Sequence, residues 1–238
     1  MQALLLSFQK FFAINRTWIT NTFIVLELLI ISAWFLVYFQ AFNNYPSVVR
    51  YLFEYGSLLG EAALVLYCVT LVPGIITRLQ WFPTLTRPIG SIIMLFRRHF
   101  GILMFITAFW HMTFTTYIPY YAMYNFNPPG LPTLSTYQLM GMTAWLLLFP
   151  LWLTSNDFAQ KKLGKNWKLL HKLTYVSMMF IFLHVALQKA NWMLVIGTFI
   201  VLEVISWILA WRRKSVVVPV SVQAAPAVPV VPPPASQA

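Results

Sequence analysis

From His99 to Asn156 the chain carries no formally charged residue, and this stretch narrows the folds open to it more than any other feature. In lipid, backbone N–H and C=O groups have no water to bond, so only helices and closed barrels cross a bilayer. A hydrocarbon core of about 30 Å takes roughly 20 apolar residues as one helix. The uncharged stretch is too long for one helix and is interrupted by Pro119 and by Pro128, Pro129, Gly130 and Pro132, so it reads as two helices with a loop between them. The same criterion along the whole chain gives six spans, over residues 22–42, 57–76, 99–119, 137–154, 169–187 and 192–211. Soluble domains are about one quarter charged, whereas this chain is 9% charged and 60% hydrophobic. The expected fold is an all-α membrane protein, a bundle of six transmembrane helices in a lipid bilayer.

Net charge is +11, but the basic residues lie in short blocks between apolar runs, which gives them a topological meaning and excludes a nucleic-acid partner. Lys10 and Arg16 precede the first span. Arg78, Arg87, Arg97 and Arg98 follow the second, Lys161, Lys162, Lys165, Lys168 and Lys172 border the fifth, and Arg212, Arg213 and Lys214 close the sixth. Of the 16 basic residues, only Arg50 and Lys189 fall on the other side. Both termini are therefore expected in the cytoplasm, with the protein multi-pass in the inner membrane. Residues 1–21 read as an interfacial lead into a retained helix, 22–214 as the membrane domain, and the uncharged Pro/Val/Ala-rich segment 215–238 as a disordered tail. That tail has no glycine-rich phosphate loop, so a soluble electron donor would be a separate protein. A single cysteine, Cys68, excludes an internal disulfide, a Cys-ligated iron–sulfur cluster and a CxxCH-attached haem.

All four histidines lie in or at the ends of these spans, where ionisable side chains point to function. His111 is 13 residues past Arg98 and His184 is 16 past Lys168, roughly 20 and 24 Å deep at about 1.5 Å per residue. Two imidazoles at matched depth on facing helices are a haem-ligating arrangement, so His111 and His184 are the expected axial pair of one b-type haem towards the outer leaflet. His171, roughly 5 Å deep, and His99, at the corresponding end of the third span, make a second, inner haem conceivable. On an ideal helix His171 falls about 140° short of facing the same way as His184, and His99 about 120° short of His111. His99 is the weakest ligand of the four. A lone membrane histidine is more often a packing residue; the matched depths favour ligation.

The residues Arg97-Arg98-His99-Phe100-Gly101, His111, Leu153-Thr154-Ser155, the block Lys162-Leu163-Gly164-Lys165-Asn166-Trp167-Lys168-Leu169-Leu170-His171 and finally His184 resemble the ferric-reductase-like transmembrane domain. The similarity extends over residues 57–211 and includes Gly60-Glu61-Ala62-Ala63-Leu64. It implies a six-helix protein with one or two b haems, carrying electrons from a cytoplasmic flavin reductase or flavodoxin-like donor to a periplasmic redox acceptor, a methionine sulfoxide reductase among the candidates. His111, His171 and His184 match the family's haem histidines and Arg97 and Arg98 its arginine pair. FMN or quinone stays open as a further cofactor.

Arg97, Arg98 and Lys168 have two readings, as partners of haem propionates or as determinants of orientation. Glu27, Glu61 and Glu203 lie within spans, where an acid suits a protonated interhelical hydrogen bond, proton uptake or quinone contact. The competing function is a small proton- or ion-coupled transporter; against it, the sequence shows no inverted repeat and no matched pair of broken helices.

Overall fold

A computed structural model describes residues 2–43, 45–120, 133–188 and 191–216. Among these residues the chain forms helices and no strand. Two short or peripheral helices come first, α1 (Gln2–Ile14) and α2 (Arg16–Asn43). The long helices α3 (Tyr45–Leu79) and α4 (Pro83–Met112) follow, and α4 runs on into a π-helical turn over Thr113–Tyr117. After these come α5 (Thr136–Leu153), α6 (Asp157–Leu163), α7 (Lys165–Leu170), α8 (Leu173–Leu187) and α9 (Trp192–Val216). Five stretches, Arg16–Gln40, Tyr51–Leu79, Pro83–Tyr120, Lys165–Leu187 and Trp192–Arg213, are long and apolar enough to cross a membrane. A sixth, α5 together with α6, qualifies as a pair bent by 90°. The protein is an all-α, multi-pass membrane bundle. The loop at 121–132 and the tail from 217 lie outside the described residues.

The helices outrun the apolar spans expected from sequence because charge ends an apolar count but does not end a helix. What separates α3 from α4 is local backbone geometry. Gln80 and Phe82 adopt φ of 57° and 46°, a region that disfavours further helix for residues with a Cβ, and Pro83 then supplies a preset φ at the first turn of α4. Gly164, with φ 52°, makes the corresponding break between α6 and α7.

α3 is the centre of the bundle. Leu64, Tyr67, Cys68, Leu71, Ile75 and Leu79 recur at helical spacing and meet Met104 and Phe105 of α4, Leu148 and Leu151 of α5, Met178 of α8 and Ile196 of α9. The phenol of Tyr67, 1% exposed, donates to the Thr174 carbonyl at 2.6 Å, so its hydroxyl is satisfied within the core. Cys68 is a buried free thiol. α4 packs along α3, α5 along α8, and α9 against α3 and α8, while α1 and α2 lie against α4. The outer faces are apolar: Phe35, Leu36 and Phe39 of α2 are all more than half exposed, a surface suited to lipid rather than water.

Two pairs of ionisable groups inside the spans bond across helices. Arg78 of α3 forms an ion pair with Glu203 of α9, donates from Nε to Ser206 Oγ at 2.8 Å and lies 4.6 Å over the Trp207 ring. Glu27 of α2 bonds His99 Nδ1 at 2.9 Å, and Phe23 stacks on that imidazole with ring centres 5.2 Å apart. At the bend after α5, the Arg98 guanidinium donates to Asp157 Oδ1 at 2.7 Å and holds this exposed carboxyl below the usual carboxylate range.

Candidate functional site

His111 near the end of α4 and His184 near the end of α8 turn towards each other across a cavity of about 610 Å3 bounded by α3, α4, α5 and α8. A volume of this size suits a large organic cofactor. Each ring is fixed by its Nδ1: that of His111 lies 2.7 Å from the Gly56 carbonyl and that of His184 2.7 Å from the Tyr137 carbonyl. A carbonyl oxygen only accepts, so Nδ1 carries the proton in both rings and the lone pair lies on Nε2. The Gln188 amide donates to the lone pair of His184 at 3.2 Å, as this tautomer requires.

The ring centres are 6.0 Å apart, with planes at 77°. Two imidazoles sharing one metal ion, each bound at about 2 Å, have their ring centres roughly 6 Å apart. The spacing thus fits one ion between the rings. Carbonyl partners on Nδ1 are the usual means by which a ligating histidine is oriented and made a stronger donor.

Two glycines allow this close approach. A Cβ on Gly60 would lie 2.7 Å from His111 Nδ1, and one on Gly141 would lie 2.7 Å from His184 Nδ1. Any side chain at either position would push the imidazole off its carbonyl. Immediately past His111, the π turn shifts the helical register, and the Thr115 hydroxyl donates to the His111 carbonyl at 2.7 Å. Such turns often mark functional positions.

The other residues singled out from sequence lie elsewhere. His99 faces α2, buried against Glu27 and Phe23, and does not meet His171. His171 sits where α7 stops and α8 begins, with its Nδ1 3.0 Å from the Trp167 carbonyl and its ring 3.9 Å from the Trp167 indole. Arg97 precedes Arg98 on α4, and Arg98 is engaged by Asp157 and Gln160. None of these four residues lines the cavity. Glu61 does line it. Gly141, Tyr137 and Gln188 were not recognisable from sequence: a glycine in an apolar run carries no sign of what stands opposite it.

The fold and site define a helical membrane protein built around a cavity with two facing imidazoles. More particularly, the chain belongs to the family described as ferric reductase like transmembrane component, whose model matches residues 59–182. That stretch contains His99, His111 and His171 and ends two residues before His184. Among curated relatives, the protein-methionine-sulfoxide reductase heme-binding subunits MsrQ of Salmonella newport (strain SL254) and Salmonella agona (strain SL483) are each 33% identical to it over 118 residues. The matched region is 49% of this chain and 55% of each relative, so the chain spans about half the length of the curated relatives it matches. No solved structure matches the chain significantly.

Proposed function

We propose that this protein is a haem b membrane subunit that passes electrons across the inner membrane, from a cytoplasmic flavin reductase or flavodoxin-like donor to a periplasmic acceptor of the methionine sulfoxide reductase kind. The observation that carries the reading is the pair His111 and His184, ring centres 6.0 Å apart, each with Nδ1 committed to a carbonyl and its lone pair on Nε2, where iron would bind, with the Gln188 amide giving way at His184. When bound, haem iron supplies a reversible one-electron change, so charge crosses the bilayer without passage of a substrate. The residues of the chain do the rest. The Gly56 and Tyr137 carbonyls orient the ligands, Gly60 and Gly141 leave room for them, and Leu64, Met104, Leu148 and Ile181 keep water from the site and so influence its potential. The end carrying Arg97, Arg98, Lys161 and Lys162 faces the cytoplasm. There His171 would be the ligand if the bundle holds a second haem, with Arg97, Arg98 and Lys168 near enough in sequence to serve its propionates, and there FMN or a quinone would meet the bundle. Of the in-span acids that a transporter would need, Glu27 and Glu203 are instead bonded to His99 and Arg78.

The visible spectrum and haem content of the purified protein test this reading. A Soret band with sharp α and β bands on reduction is expected, at one haem per chain if only the His111–His184 site is filled and two if His171 holds another. A folded, colourless preparation would overturn it.

The glycine cradle gives an independent check. Gly60→Ala or Gly141→Ala raises intrinsic helix propensity by up to about 1 kcal/mol, yet each should lower haem content severalfold by displacing an imidazole. Full haem content in both variants would show that the rings are held some other way.

A further inference from the structure

Six aromatic side chains form a continuous stack through the bundle. Trp152 and Phe105 have ring centres 4.8 Å apart with planes at 17°; Phe105 and Trp145 follow at 5.1 Å and 20°, and Trp145 and Phe109 at 5.6 Å and 26°. Phe109 and Trp34 are 5.1 Å apart at 34°, and Trp34 and Tyr38 4.9 Å apart at 17°. Aromatic pairs adopt edge-to-face as readily as offset-stacked geometry, and elsewhere in the protein they do: Trp110–Phe114 lies at 83°, Tyr175–Trp207 at 80° and Phe12–Phe96 at 68°. Four near-parallel contacts and one tilted by 34° run in succession through three helices, α2, α4 and α5, while Phe149 meets Phe105, Trp145 and Trp152 from the side at 39° to 52°.

The stack is also placed where the chemistry needs it. Its third member, Trp145, lines the cavity that holds His111 and His184. Trp152 lies at the other end of α5, two residues before Thr154, whose carbonyl accepts from Trp167 Nε1 at 2.9 Å in the corner that carries the lysine-rich α6 and α7. By helix rise, Arg98 and His111 are separated by about 20 Å along α4. Electron tunnelling weakens exponentially with distance and is poorest through saturated side chains and empty space. Rings in contact supply low-lying π orbitals across that interval.

We propose that Trp152, Phe105 and Trp145 form the electron path between the basic end of the bundle and the cavity, and that Phe109, Trp34 and Tyr38 continue it towards the opposite end. This rests on the haem reading above. One electron leaves the reduced donor and one arrives on ferric iron; the rings act as medium, neither oxidised nor reduced, and no bond forms or breaks.

The test uses the full chain in inverted membrane vesicles, with reduced FMN as donor and haem reduction followed by stopped-flow absorption. Phe105 does not line the cavity, so Phe105→Leu should keep haem content and the reduced spectrum while slowing reduction by an order of magnitude. Trp152→Leu should do the same, and Trp152→Phe should recover most of the rate. In haem-free protein, near-ultraviolet circular dichroism should lose intensity in Phe105→Leu, reporting the stack without reference to electron transfer. Wild-type reduction rates in both leucine variants at full haem content would overturn the path alone. Haem loss in proportion to rate in every variant would make the stack a packing feature and also overturn it. A wild-type protein without haem would overturn the path together with the function it rests on.

Discussion

Replacing either His111 or His184 with alanine is expected to abolish haem binding at the cavity. Each change would remove one of the two imidazoles proposed to hold haem iron and leave a void where the ring stood, while the carbonyl that held Nδ1 remains in place, at Gly56 for His111 and at Tyr137 for His184. Because that carbonyl and the matching glycine survive, exogenous imidazole fits the vacated space and should restore part of the reduced α and β bands. The Soret absorbance per chain checks the first expectation and an imidazole titration the second. Wild-type haem content and spectrum in both alanine variants would show that iron is held by other residues.

Arg78→Ala should produce the largest loss of stability. Glu203 is 3% exposed, and the guanidinium is its ion-pair partner, with Trp207 Nε1 donating to the same carboxylate oxygen at 3.2 Å. Removing one member of a buried pair leaves an uncompensated charge and costs about 3–5 kcal/mol. The same change releases Ser206 and the cation–π contact with Trp207, so the α3–α9 contact weakens as a unit. Arg78→Ala combined with Glu203→Gln removes the stranded charge and should recover much of the deficit. Thermal unfolding of the four proteins in detergent measures the coupling. Additive effects, or an Arg78→Ala midpoint equal to wild type, would mean that the pair contributes nothing.

Much of the bundle was legible in the sequence because its causes are local. A run of about 20 apolar residues crosses a bilayer whatever surrounds it, and the uncharged stretch from His99 to Asn156 could only be two helices with a break. α4 and α5 are those helices, although α5 ends in a 90° bend that a count of apolar residues does not reveal. The acids within the spans were legible only as a kind of feature: Glu27 and Glu203 do make interhelical bonds, but with His99 and Arg78, partners far away in sequence.

The candidate site divides along the same line. Axial rise belongs to a single helix, so residue counting from Arg98 and Lys168 was enough to put His111 and His184 at one depth. Angular phase does not survive such counting, since it depends on every interruption of the helix. The break between α7 and α8 at His171–Lys172 removes the basis for an ideal-helix angle from His171 to His184, whereas His99 and His111 share the uninterrupted α4 and do face different neighbours. Which way each imidazole turns was decided by what packs beside it. Gly60 and Gly141 admit the rings of His111 and His184, whereas Phe23 and Glu27 draw His99 to α2, because a membrane histidine takes the nearest arrangement that both fits its ring and satisfies its nitrogens. The sequence by itself therefore determined the membrane bundle, its spans and the shared depth of two histidines. Only the tertiary structure decided their facing geometry, their glycine cradle and the stack from Trp152 to Tyr38, since those depend on contacts between helices that lie far apart along the chain.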